Sequence, residues 1–140
     1  MKIAVVGSRK FKALYLVIDY IERLPKDTTI VTGGARGVDQ TAEKIARNRG
    51  LAVEIYKPDW KNIDHPDAKV KKNKYGYYDA RAGVRRNRTI VEVADKVVAF
   101  WDGISGGTAY TIRYAKETGT SVEVNYDETE LARKHIRRPS

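Results

Sequence analysis

The 140-residue chain contains no cysteine, which excludes disulfides, thiolate catalysis and cysteine-held metals. Its two histidines, His65 and His135, stand far apart, so a histidine-rich metal centre is not expected. A Mg²⁺ ion arriving with a phosphate ligand needs neither residue type and stays compatible with the composition. No apolar run approaches the roughly 20 residues of a bilayer span. The N-terminus enters a strand directly, without the basic-then-apolar pattern of a signal peptide. The expected location is therefore the cytoplasm, with no membrane partner. No Gly-Lys-Ser/Thr sequence follows a glycine loop, which excludes a Walker-type phosphate loop. Internal repeats and linkers are also missing.

What is present is charge. Apolar residues make up 41% of the chain and charged residues 32%, above the roughly 25% of an average domain. The length suits one domain with a real core. Net charge is +9, and the excess is local: residues 57–88 hold ten Lys/Arg against four Asp. Arg133, Lys134, Arg137 and Arg138 form a second basic cluster at the C-terminal end. Basic surface favours anionic partners, from nucleotides to nucleic acid. It also serves simply as solvated surface.

Hydrophobic patterning alternates strand and helix. Lys2–Gly7 reads as a buried strand. Leu14, Val17, Ile18, Ile21 and Leu24 follow at helical spacing, with Pro25 as the stop. Thr28–Thr32 is the second strand. Val38, Ala42, Ile45 and Ala46 mark a helix face that Gly50 ends. Leu51–Tyr56 is the third strand. Residues 57–80 break this rhythm with Lys, Tyr, Pro58 and Pro66; a loop of that length is usually a functional lid or a disordered segment. A helix over Ala82–Val93, a strand over Asp95–Trp101, a helix marked by Ala109, Ile112 and Ala115, and a strand over Thr120–Asn125 complete the pattern. The last fifteen residues read as a short helix and a frayed basic end. The expected fold class is α/β, a Rossmann-like three-layer sandwich with a five-stranded, mainly parallel sheet. The expected organisation is one domain over residues 1–126, including a basic aromatic loop at 61–80, and a basic tail over 127–140. Ligands of such sheets bind at the carboxyl ends of the strands, near the switch in strand order.

Four motifs fall near that rim. Gly7-Ser8-Arg9 offers a tight strand exit, a hydroxyl and a cationic fork. Gly33-Gly34-Ala35-Arg36-Gly37 concentrates glycine beyond what a turn alone needs, which suggests close approach of a ligand to the backbone. Asp39 then pairs with Arg36, binds a ribose hydroxyl, or sits in the helix's first turn. Asp102 and Ser105-Gly106-Gly107-Thr108 open a helix, where free N–H groups and the helix dipole can seat a phosphate. Last, Arg85, Arg86 and Arg88 cannot share one helical face; Arg86 and Asn87 are the pair expected to face a site. Trp60, Tyr75, Tyr77 and Tyr78, interleaved with lysines, either stack on bases or form the loop's own small core.

Together these motifs resemble the SLOG superfamily, and within it the YspA-like branch, over about residues 1–125. The resemblance implies a nucleotide or nucleotide-derived ligand, self-association, and a role as a sensor or nucleotide-processing hydrolase. Two related families differ in what they imply. The "lonely guy" phosphoribohydrolases cleave N-glycosidic bonds with an arginine of an Arg-Lys pair and a glutamate after a Gly-Gly-x-Gly-Thr loop. Here Arg86 matches the arginine, Asn87 replaces the lysine, and Thr111 stands where the glutamate belongs. Loss of that carboxylate removes the group that stabilises an oxocarbenium-like centre, leaving Arg86, Asp102 and Asp39 as the catalytic candidates. The DprA/Smf family of single-stranded DNA binders has loops similar to Thr32–Asp39 and to Arg86-Asn87-Arg88-Thr89-Ile90. That likeness implies single-stranded nucleic acid as the alternative partner.

Overall fold

The computed structural model describes residues 1–135 and 137. In chain order its elements are β1 (Lys2–Gly7), α1 (Leu14–Glu22), β2 (Thr29–Thr32), α2 (Val38–Asn48), β3 (Ala52–Ile55), β4 (Val70–Asn73), β5 (Gly76–Asp79), α3 (Ala82–Val93), β6 (Lys96–Trp101), α4 (Gly106–Glu117), β7 (Ser121–Tyr126) and α5 (Glu128–Arg133). Five strands form one sheet in the order β3-β2-β1-β6-β7, and every pair in it is parallel. The α/β sandwich expected from the sequence is the fold observed.

Strand alternation builds the two apolar layers, because successive side chains point to opposite faces. Ile3, Val5, Ile30, Val98 and Phe100 pack with Val17, Ile21, Val38, Ala42 and Ala46 of α1 and α2. Ala4, Val6, Val31, Val97 and Ala99 pack with Ile90, Val91, Ile112 and Ala115 of α3 and α4. Each fully buried Val or Ile contributes about 1.5–3 kcal/mol, so this double-sided core fixes the sheet and the loops leaving it. Strand order reverses between β1 and β6, where Gly7 pairs with Phe100. The loops after these two strands diverge there, opening a crevice at the sheet's carboxyl edge.

The 57–80 region departs from expectation. It holds an antiparallel hairpin, β4–β5, with Asn73 opposite Gly76 and a Lys74-Tyr75 tip. Its pattern of Lys and Tyr carries no apolar face, so hydrophobic periodicity gives no strand signal. The hairpin is held by a buried carboxylate instead. Asp79 is fully buried and accepts from the backbone N–H groups of Lys69 (3.0 Å) and Arg81 (2.9 Å) and from the Arg85 guanidinium. Burial alone would raise its pKa; these donors prevail and hold it down at about 2.

The expected short C-terminal helix is α5. Asp127 caps it by accepting from the Glu130 N–H at 3.1 Å, and Leu131 is buried. A Lys12–Glu130 ion pair (3.4 Å) ties it to the segment after β1. Of the predicted basic cluster, Arg138 lies outside the described residues. Among the described residues, no helix is long and apolar enough to cross a membrane.

Candidate functional site

At the strand-order switch lies a cleft of about 510 Å³. Of the residues singled out from sequence, Gly7, Ser8, Arg9, Ala35, Asp39, Arg86, Asn87, Asp102, Ser105, Gly107 and Thr108 line it. Gly33, Gly34, Arg36 and Gly106 do not. Sequence reasoning missed Val6, Lys10, Ile90, Ile104 and Lys134, which also form the wall. Val6 was visible only as part of a buried strand, and Ile90 only as the end of the Arg86–Ile90 stretch. Lys134 stood in the basic tail, and only α5 folding back brings it to the cleft.

The first wall follows β1. A Cβ on Gly7 would come within 2.6 Å of Val38 Cγ2 and 2.7 Å of the Phe100 carbonyl, so glycine lets α2 and β6 close on the strand end. The next residue, Ser8, is buried. Its Oγ accepts from the Asp102 N–H (3.2 Å) and lies 3.5 Å from Thr108 Oγ1. One hydroxyl thereby joins the β1 exit to the lead-in and first turn of α4, 94 and 100 residues away. Arg9 and Lys10 are exposed at the rim.

The second wall is the Gly33–Gly37 loop, and its glycines have internal reasons. A Cβ on Gly33 would lie 2.8 Å from Arg86 Cζ, so this glycine makes room for the guanidinium. Gly37, with φ +82°, puts the start of α2 against the Arg9 backbone; Gly34, with φ +72°, turns toward Ile55 and Lys57. At these glycines the protein approaches itself closely, at Arg86, Arg9 and Ile55. Asp39 Oδ2 accepts from the N–H groups of Gly33 and Ala35, both at 3.2 Å. Arg36 is exposed, and the cation whose charge acts on Asp39 is Arg86. Arg86 donates Nη1 to the Gly33 carbonyl (2.7 Å) and the Tyr56 carbonyl (3.2 Å), and Nε to Asn87 Oδ1 (2.9 Å). None of these bonds uses Nη2. Burial pushes the Asp39 carboxyl up to about 6, against the two N–H donors and the Arg86 charge, which pull it down. Burial likewise lowers Arg86, partly offset by Asp39.

The third wall is the N-terminus of α4. Asp102 organises its lead-in: Oδ1 accepts from the N–H groups of Ile104 (2.9 Å) and Ser105 (2.7 Å), and Oδ2 from Ser105 Oγ (2.6 Å). Burial would raise this carboxyl, but the Ser105 and Ile104 donors hold it below the ordinary range. It is an ionised loop staple with both oxygens engaged, a poor candidate for a base. Ser105 occupies the N-cap without a side-chain cap bond, and no acidic residue stands in the first turn. The N–H groups of Gly106, Gly107 and Thr108 precede the first intrahelical bond, Ala109 N–H to Ser105 O, and so lack helical partners. A Cβ on Gly106 or Gly107 would meet nothing within 4 Å. Thr111 donates its hydroxyl to the Gly107 carbonyl (3.0 Å) and offers no carboxylate to the cleft.

The cations of α3 divide as its geometry requires. Arg85 turns to Asp79 and Asp67, Arg86 to the cleft, and Arg88 to the Tyr110 hydroxyl at 2.6 Å. Arg9, Lys10, Arg86 and Lys134, the last also paired with Glu130 at 3.2 Å, outnumber Asp39 and Asp102 around the cavity, so its field favours an anion. Among the described residues, no three Asp, Glu or His side chains gather as a metal cluster.

Residues 1–63 match the family model described as YspA, cpYpsA-related SLOG family. The Gene 61 protein of Mycobacterium phage D29 is 31% identical over 131 residues, covering 86% of this chain and 93% of that protein. The chain belongs to this SLOG family. DNA processing protein A from Helicobacter pylori superposes on it with a TM-score of 0.63 at 19% identity, covering 97% of this chain and 73% of that one. The molybdenum cofactor binding protein of Rippkaea orientalis gives 0.61 at 19% identity, covering 96% and 85%. At these identities the two structures share the SLOG chain's fold.

Proposed function

We propose that the cleft binds a nucleotide or nucleotide-derived phosphorylated ligand, with the phosphate on the N–H groups of Gly106, Gly107 and Thr108. The observation that carries this reading is the uncapped, acid-free start of α4, opening beside Arg86 in a cation-rich cleft. Arg86 Nη2, Arg9 and Lys134 close on the anion; Mg²⁺, if it comes with the ligand, is held by the phosphates. Each charge-assisted N–H bond is worth about 1.5–3 kcal/mol. Ser8, Arg9 and Asp39 reach the ribose and base, and Ile90 and Ile104 supply apolar contact. The same fold serves cofactor binding in the Rippkaea orientalis protein, which fits a small phosphorylated ligand here.

A sensor fits better than a hydrolase, because Thr111 replaces the glutamate and Asp102 has no free oxygen. The one observation favouring cleavage is Asp39, a cleft carboxyl whose pKa of about 6 suits proton transfer.

The test is thermal melting against nucleoside mono-, di- and triphosphates, ADP-ribose and NAD. A ligand at about 100 times its Kd adds roughly 2.7 kcal/mol, a shift of several degrees. Gly107→Asp places a carboxylate at the seat and should abolish that shift; an unchanged shift would overturn the placement. Chromatography of the stabilising nucleotide after incubation decides the second reading. Intact ligand supports the sensor, and free base lost in Asp39→Asn supports hydrolysis.

A further inference from the structure

The β4–β5 hairpin carries chemistry that the cleft does not use. Tyr75 at its tip is 85% exposed and Tyr77 is 62% exposed. Both are held rather than loose. The Tyr75 N–H donates to Asn73 Oδ1 at 2.9 Å, and Tyr77 pairs across the ladder with Lys72. Lys74 Nζ lies 5.1 Å from the Tyr75 ring centre and Lys72 Nζ 5.4 Å from that of Tyr77. Trp60, although 43% exposed, lays its ring against Gly83 of α3, and its carbonyl accepts from the Asp79 N–H at 2.7 Å. The aromatic cluster is thus split between one ring packed on α3 and two that stand clear of it.

Charge is split in the same way. Asp67 and Asp79 are taken by Arg81 and Arg85, so Lys69, Lys71, Lys72 and Lys74 face solvent without a neutralising carboxylate among the described residues. A hairpin that needed only solubility would be served by its lysines. Two exposed rings among four lysines that no carboxylate neutralises match instead a chain of phosphates with free base faces.

We propose that this hairpin is a binding arm for single-stranded nucleic acid, with Tyr75 and Tyr77 stacking on bases and Lys71, Lys72 and Lys74 on the backbone. A duplex offers the phosphates but keeps its bases in the stack, and an acidic protein offers charge without the planar faces. The arm stands apart from the nucleotide cleft and does not depend on it.

Fluorescence anisotropy with a labelled oligothymidylate of about 15 nucleotides, free and annealed to its complement, tests this on the full chain. The wild type should prefer the single strand. Tyr75→Ser/Tyr77→Ser should weaken binding about tenfold or more while leaving the salt slope unchanged. Lys71→Ser/Lys72→Ser/Lys74→Ser should reduce the slope of log affinity against log salt by about 2. These side chains are exposed, so unchanged melting temperatures will show that both variants fold. The proposal is overturned if the wild type does not bind, if it binds the duplex equally well, or if the tyrosine variant binds like the wild type. It is also overturned if Gly107→Asp loses the oligonucleotide while the tyrosine variant keeps it.

Discussion

Two glycine loops lead into helices at the same edge of the sheet, and they have opposite states of occupancy. In the loop before α2, the protein supplies its own anion: Asp39 takes the N–H groups of Gly33 and Ala35, and Arg86 takes the Gly33 carbonyl. In the loop before α4, the carboxylate of Asp102 is spent on the lead-in, and the first turn behind it has no internal anion. A glycine-rich helix entry therefore does not by itself mark a phosphate seat. What marks one is an entry whose donors the protein leaves unused. The filled loop pins Arg86 beside the open one, so the first prepares the second.

The strongest way to break this comparison is to empty the filled loop. Asp39→Ala leaves two N–H groups without an acceptor and Arg86 without its counter-charge. Denaturant unfolding should show a loss of about 2–4 kcal/mol; a loss near zero would mean the network is not structural.

Glycine-to-alanine exchange sharpens the contrast. Gly33→Ala must displace Arg86 from two carbonyls and should cost about 2 kcal/mol. Gly107→Ala adds a methyl to open space in a helix, so stability should hold or rise by up to about 1 kcal/mol, while nucleotide affinity falls. Equal stability effects at the two sites would erase the distinction.

The smallest effect is in pH. Asp39 has a folded pKa of about 6 against an ordinary 3.8. Its protonated form is favoured by folding, so the stability it contributes is complete below pH 4 and is lost as pH rises through 6. Asp102 and Asp79, whose pKa values are lowered, change stability only below pH 4 and in the opposite direction. Wild type minus Asp39→Asn should therefore decline between pH 4 and 6, and a flat or rising difference would exclude the raised carboxyl.

The sheet was legible because its signal is redundant. The central strands are continuous apolar runs buried on both faces, the helices repeat their apolar residues at spacings of three and four, and the boundaries moved by only a residue, as with Thr29–Thr32 against the expected Thr28–Thr32. The switch point between β1 and β6 emerged only with the observed strand order. The hairpin was not legible, because it is held by one buried carboxylate and not by an apolar face. The occupancy of the two loops was hidden for a related reason. Gly33 and Gly107 look alike in sequence, and only the tertiary position of Arg86, 53 residues from Gly33, tells a packing glycine from an open one. Lys134 reached the cleft through the packing of α5, which depends on Leu131 and the Lys12–Glu130 pair.

The most direct test is an amide-resolved NMR titration of the wild-type protein with AMP and, separately, inorganic phosphate. If the α4 entry is the seat, the amide resonances of Gly106, Gly107 and Thr108 should shift most, and those of Gly33 and Ala35 should stay close to their free positions. The reverse pattern, with Gly33 and Ala35 moving and the α4 entry still, would contradict the account.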